Sequence, residues 1–213
     1  GLNFVRRNPV IVSLLSLDVG QTLFGSYRAL LPIIADNLGA GAVGYGVLSA
    51  APGVGSIVGS FAIVLQGDMR YKGLYTLFGV LAYCVALMLL AVSPWISLAL
   101  VASALLGTMN SVQMIPRNSA IIAISPDALR GRVEAFRSML AGGAPPLGYM
   151  FSGALAAAIG PSLALVGGGL LCAGCVAAIG LIRKELRDPN LGSMPASSTD
   201  FVTVGQADSI TGR

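Results

Sequence analysis

Long apolar runs alternate with short polar joints along most of the chain. Six runs each approach or exceed the roughly 20 residues needed to cross the hydrocarbon core of a bilayer. They occupy residues 10–35, 42–65, 74–92, 96–115, 136–159 and 163–182. The pattern predicts an all-α integral membrane protein with six transmembrane helices.

The polar segments divide the chain into three parts. We expect a cytoplasmic lead-in at residues 1–8, a six-helix membrane unit at residues 9–185 and a disordered cytoplasmic tail at residues 186–213, where the composition becomes polar and aperiodic. The longest joint inside the membrane unit is residues 116–135. Because the chain starts without methionine and close to an apolar run, we expect it to be a piece of a longer protein, with no cleavable signal peptide.

Composition supports lipid as the solvent. The chain has 55% hydrophobic and 10% charged residues, whereas a typical soluble domain carries about 25% charged residues. Its 28 glycines suit membrane helices, in which close backbone approach drives helix association.

The basic residues predict an orientation. Of 13 lysines and arginines, all except Arg28 fall beside alternate joints, on one predicted side of the membrane. They are Arg6, Arg7, Arg70, Lys72, Arg117, Arg130, Arg132, Arg137, Arg183, Lys184, Arg187 and Arg213. Since loops rich in lysine and arginine stay in the cytoplasm, both ends are expected to be cytoplasmic. The pI of about 9.2 then reflects topology and contact with the lipid bilayer, and no nucleic-acid partner is expected.

Polar residues inside the first run indicate a wet pathway. On a continuous helix, Asp18, Gln21 and Arg28 lie on one face, with the two charges about 15 Å apart along the axis. A charge at mid-membrane depth is costly and generally faces a cavity or the bundle interior. Because burial disfavours a charged carboxylate, Asp18 is a candidate proton carrier; a fixed counter-ion for an arginine is the alternative.

A second polar stripe lies in the fourth run and the joint that follows it. Asn110, Gln113 and Arg117 recur at spacings of three and four residues, which places them on one helix face. Asn110 and Gln113 are candidates for the same pathway, and hydrogen bonding that only fixes helix packing is the alternative.

Helix-breaking and small residues mark two runs. Pro52, Gly55 and Gly59 fall in the second, and Pro145 and Pro146 are adjacent in the fifth. They predict tight helix packing, with bending or sliding during a transport cycle as a further interpretation.

Other chemistry is not indicated. Cys172 and Cys175 have metal-ligand spacing, but the chain has no histidine and no second cysteine pair. We expect no metal site, no cofactor and no enzymatic activity, because no nucleophile–base constellation is visible at membrane depth.

Two segments carry a family resemblance. "FVRRNPVIVSLLSLDVGQTLFGSYRALLPIIADNLGAGAVGYGVLSAAPGVGSIVGS" resembles the opening of the second half of major facilitator superfamily transporters, and of their enterobactin-exporter-like branch in particular. "SPDALRGRVEAFRSMLAGGAPPLGYMFSGALAAAIGP" is similar to the segment around the eleventh helix of that family. The resemblance extends over residues 1–185.

The resemblance implies the C-terminal half of a twelve-helix secondary transporter, built as a 3+3 inverted repeat, with substrate between the two halves. Its expected activity is proton-coupled efflux of a small amphipathic molecule, such as a siderophore or drug, across the bacterial inner membrane by alternating access. Its expected partners are a missing N-terminal half or a second copy, a small-molecule substrate and protons. A cytoplasmic gate would contain Asp68, Arg70, Arg117, Arg130 and Arg132.

The loop "GDMRYKG" departs from the family pattern, Gly-x-x-x-Asp-x-x-Gly-Arg-Arg, which it keeps only loosely.

The alternative function is a non-transporting six-span membrane scaffold or a degenerate half-transporter.

Overall fold

The computed structural model describes residues 9–67, 72–125 and 127–182. The predicted lead-in, the predicted disordered tail and the gate candidates Asp68 and Arg70 lie outside these residues. The described part is all-α, as predicted, and contains no strand.

The chain forms helices in the following order. They are α1 (Pro9–Phe24), a 3-10 helix (Arg28–Leu30), α2 (Leu31–Asn37), α3 (Gly41–Gln66), α4 (Lys72–Ala91), α5 (Ile96–Ile124), α6 (Asp127–Ile159) and α7 (Pro161–Ile182). Four helices contain segments long and apolar enough to cross a membrane: Gly41–Gln66, Gly73–Ala91, Ile96–Ala123 and Pro161–Gly180. The other two predicted spans correspond to α1 with its continuation and to α6, whose first turns are strongly charged.

The prediction of one continuous helix over residues 10–35 is wrong. α1 ends at Phe24, and the chain resumes a helical course at Arg28. Pro32, in the first turn of α2, has no N–H to donate to the carbonyl of Arg28, so a helix running through both residues would lose a hydrogen bond. The Tyr83 hydroxyl of α4 instead donates a 2.9 Å hydrogen bond to the Gly25 carbonyl, which the break exposes.

The joint predicted at residues 116–135 is also wrong. α5 continues through Pro116 to Ile124, and α6 starts at Asp127. Ser125 adopts an extended conformation with φ −85° and ψ 126°. Because it precedes Pro126, the helical region is disfavoured there, so the chain turns at this point rather than ten residues earlier.

α5 is the central helix of the described bundle. It packs along α3 and α4, α7 packs on α4, and α1 lies against α6 and α7 with a short contact to α5. The core includes fully buried Leu48, Leu87 and Leu106. The opposite face of α3 exposes apolar side chains such as Val54 and Ile57, as expected for contact with lipid.

Small residues bring α3 and α5 together. A Cβ at Gly55 would overlap the Ala104 carbonyl oxygen, and one at Gly107 would overlap that of Pro52. A Cβ at Gly59 would lie 2.5 Å from the Thr108 carbonyl oxygen. The two backbones are therefore in direct contact. Pro52 lies within α3, and Pro145 and Pro146 lie within α6, without ending either helix.

Candidate functional site

A buried ion pair joins α1 to α5. Arg117 Nη2 lies 2.8 Å from Asp18 Oδ1, and the side chains are 4% and 19% exposed. The prediction that placed Arg117 in the joint after the fourth span is wrong, because the residue lies about two turns before the end of α5. Of the two roles left open for Asp18, the structure supplies the arginine that a counter-ion requires.

Amide side chains extend this pair into a network. Arg117 Nη1 donates to Gln113 Oε1 at 2.9 Å. Gln113 Nε2 donates to Gln21 Oε1 and, at 3.2 Å, to Asn110 Oδ1. We call these five residues the polar seam. It brings together all the predicted pathway residues except Arg28.

Helix geometry explains the seam. The spacing of Asn110, Gln113 and Arg117 places them on the face of α5 turned toward α1. Gly79 of α4 makes room on the other side, since a Cβ there would lie 2.6 Å from Gln113 Cβ. Gln113 is 1% exposed and Gln21 6% exposed. Such buried amides are costly unless they are hydrogen-bonded, and each of the two has a partner within the seam.

Two adjoining cavities lie beside the seam. The first, of about 150 Å³, is lined by Asp18, Gln21, Thr22, Gly25, Ser26, Tyr27, Arg28, Tyr83, Asn110, Pro145 and Tyr149. The second, of about 190 Å³, is lined by Tyr27, Arg28, Pro52, Gly53, Ser56, Tyr83, Leu106, Gly107 and Asn110. Because they share four lining residues, we treat them as one space, which we call the hollow.

Arg28 belongs to the hollow and not to the seam. The break after α1 places it on the 3-10 helix, where its side chain is exposed and lines the hollow beside Tyr27. Among the described residues it forms no ion pair with a carboxylate. The expected continuous stripe from Asp18 to Arg28 is therefore wrong, although both residues line the same cavity.

The first third of α6 carries a second charged group. Arg137 Nε donates to Glu134 Oε2 at 2.9 Å, and Arg137 Nη2 also pairs with Glu134 Oε1. Arg137 lies near enough to Asp18 and Arg117 to interact with both electrostatically.

Two of the predicted gate residues, Arg130 and Arg132, lie in the first two turns of α6, next to the α5–α6 turn. Arg130 Nε lies 3.3 Å from the carbonyl oxygens of both Ile122 and Ser125, so its guanidinium donates to the end of α5. A cation is favourable at this negative end of the helix dipole. Arg132 is exposed on α6.

Some residues of the site escaped the sequence analysis. Tyr27, Tyr83 and Tyr149 line the hollow, yet only the structure distinguishes them from other apolar positions. Arg117 did carry a signal, since it continues the stripe of Asn110 and Gln113. Cys172 is buried in the same core cluster as Cys84 of α4, whereas Cys175 is exposed. The described residues include no cluster of three or more metal-ligating side chains.

Comparison with known proteins identifies the family of this chain. The sequence profile of the Major Facilitator Superfamily matches residues 14–206. The Enterobactin exporter EntS of Escherichia coli O1:K1 / APEC and that of Shigella boydii serotype 18 (strain CDC 3083-94 / BS512) are each 26% identical to the chain over 189 residues. The alignment covers 88% of this chain and 45% of each relative, so the chain spans about half the length of these curated relatives. Since the profile covers most of the sequence, the chain belongs to the Major Facilitator Superfamily, whose members are multi-pass membrane carriers and not enzymes.

Proposed function

We propose that this chain is the C-terminal six-helix half of a secondary transporter that exports a small amphipathic molecule across the bacterial inner membrane. The observation that carries the proposal is a buried ion pair, Asp18–Arg117, at the wall of a hollow between helices. Export is favoured because the named relatives are exporters.

The hollow supports a two-half arrangement. Its lining comes from α1, the break, α3, α4, α5 and α6, so substrate held there would touch most of the bundle. In this family the substrate site lies between two six-helix units. The partner is an N-terminal half, or a second copy of this unit, whose helices would close the open side of the hollow. Rocking of one half against the other would provide alternating access.

The carboxylate of this ion pair is the proposed site of proton coupling. Protonating Asp18 would remove the charge that compensates Arg117, whose side chain is only 4% exposed. Arg117 would then depend on Gln113 for its remaining hydrogen bond. A conformation that offers Arg117 more water or another anion would be favoured, so proton binding would shift the equilibrium between two conformations.

The α5–α6 turn is the proposed cytoplasmic gate. Arg130 donates to carbonyl oxygens at the end of α5. Arg137 donates to Glu134 and interacts electrostatically with Asp18. A change in the charge of Asp18 would therefore alter the electrostatic interaction with Arg137 on α6. The positive-inside distribution of the other basic residues favours a cytoplasmic location for this end, and with it both termini.

Efflux by the intact protein that contains this chain, reconstituted in vesicles, tests the proposal. A panel of siderophores and drugs is assayed with and without a pH gradient. The variants are Asp18→Asn, Arg117→Gln and the double variant, which removes both charges. We expect the double variant to regain the stability that each single change loses, yet to export substrate without a response to the pH gradient.

Two outcomes would contradict the proposal. A double variant that responds to pH like the wild type would remove Asp18 from proton coupling and leave the ion pair as a packing device. A well-folded wild-type protein that moves no member of the panel would favour the scaffold or degenerate half-transporter.

A further inference from the structure

We propose that the hollow contains an anion-binding subsite, formed by Arg28 and its flanking tyrosines, that accepts an organic anion with a flat apolar body. This inference rests on the proposed function, because it names the class of substrate that the same hollow would carry.

The charge balance of the hollow points to an anion. Asp18, the acidic residue of the lining, is already paired with Arg117 at 2.8 Å. Arg28 lines both cavities and, within the described residues, has no carboxylate within ion-pair distance. The hollow therefore has one uncompensated positive charge. A guanidinium presents a planar set of donors that matches a carboxylate, sulfonate or phosphate.

The broken helix positions this charge. Tyr83 holds the Gly25 carbonyl with a 2.9 Å hydrogen bond, and this contact stabilises the irregular segment that carries Arg28 to the junction of the cavities. Ser26 Oγ donates to the Thr22 carbonyl, which satisfies another backbone acceptor at the end of α1. In membrane transporters, irregular backbone of this kind is tolerated where it lines a cavity.

The shape of the space points to a flat apolar body. Each cavity, at about 150 and 190 Å³, has about the volume that accommodates one benzene ring. Tyr27, Tyr83 and Tyr149 provide aromatic walls next to the guanidinium. Two fused rings spanning the two cavities, with an acidic group directed to Arg28, would use both features.

Two fluorescent probes that differ in one group test this inference. Dansylglycine carries a carboxylate, and dansylglycinamide carries a neutral amide in its place. Binding of each is measured by fluorescence anisotropy to the intact protein that contains this chain, in nanodiscs of zwitterionic lipid. We expect dansylglycine to bind at least about tenfold more tightly, as one hydrogen-bonded charge pair implies.

Substitutions identify the group responsible. Arg28→Gln should weaken the binding of dansylglycine at least about tenfold and change the affinity for dansylglycinamide less than about twofold. Arg28→Lys keeps the charge but loses the planar donors, so an intermediate affinity is expected. Arg213→Gln, which removes one positive charge from the segment after the last span, is the matched control and should change neither affinity. A monodisperse elution peak for each variant shows that it is folded.

Equal binding of the two probes to the wild type, or binding of neither, would overturn the inference. An equal loss of affinity for both probes in Arg28→Gln would also overturn the inference. Efflux measured separately keeps this result distinct from the proposed function. Export without anion preference would reject the subsite alone, whereas anion preference without export would reject transport alone.

Discussion

The two faces of α5 are held to their neighbours by opposite kinds of chemistry. Toward α3 the contact is made by small residues, with Gly55 and Gly107 allowing backbone to touch backbone. Toward α1 it is made by charged and amide side chains, with the Asp18–Arg117 pair at its centre.

The difference shows which interactions hold helices together in lipid, where the hydrophobic effect does not drive their association. The α3–α5 interface depends on shape, since close packing gains dispersion energy over a long contact and is insensitive to charge. The α1–α5 contact is short and depends on the ionisation of a pair, because a buried charge without its partner is expensive. Of these two contacts, the one between α1 and α5 contains the ion pair.

The largest expected effect comes from breaking the ion pair. Asp18→Asn leaves Arg117 buried without its anion, which should lower the free energy of unfolding by about 3 kcal/mol, toward the lower end of values for buried pairs because Asp18 is partly exposed. Unfolding in detergent measures this loss. The double variant Asp18→Asn/Arg117→Gln should recover most of it, and strictly additive losses would contradict the pairing.

A methyl group in the α3–α5 interface should have the next largest effect. Gly55→Ala places a Cβ against the Ala104 backbone, where neither side can rotate away, so we expect a loss of about 1–3 kcal/mol. Gly46→Ala in the same helix is the matched control, because no atom outside the adjacent backbone of α3 lies within 4 Å of its Cβ position. Similar thermal midpoints for the two variants would show that the close approach is wrong.

Removing one amide of the polar seam should have a smaller effect. Gln21→Met deletes the side chain that accepts from Gln113 while keeping a similar volume. Gln113 retains Asn110 and Arg117 as partners, so we expect a loss of about 0.6 kcal/mol, the average for one hydrogen bond between membrane helices. A loss as large as that of Asp18→Asn would mean that the amides, and not the charges, hold α1 to α5.

The smallest effect is expected from the hydrogen bond that crosses the α3–α5 interface. Thr108 Oγ1 donates to the Gly55 carbonyl at 2.9 Å. Thr108→Val removes the hydroxyl and keeps the shape, so the free energy of unfolding should fall by no more than about 0.6 kcal/mol. A greater loss than that of Gly55→Ala at the same contact would show that polarity, rather than close packing, controls this interface.

Much of the architecture could be predicted from the sequence because it follows from local composition. The apolar runs predicted an all-α membrane protein, and α3, α4, α5 and α7 contain the segments that are apolar and long enough to span a bilayer. The stripes Asp18–Gln21 and Asn110–Gln113 were visible as polar positions at helical spacing. The sequence alone therefore indicated which side chains needed a polar environment.

The partners of these side chains were decided by the tertiary structure. Arg117 was assigned to the joint that begins at Pro116, but α5 continues as a helix through that proline. Arg28 was expected on the same helix face as Asp18, but the hydrogen bond from Tyr83, far away in sequence, stabilises the break between them. Spacing within a helix specifies a face, whereas the residue opposite that face depends on how distant segments pack, and no local pattern contains that information.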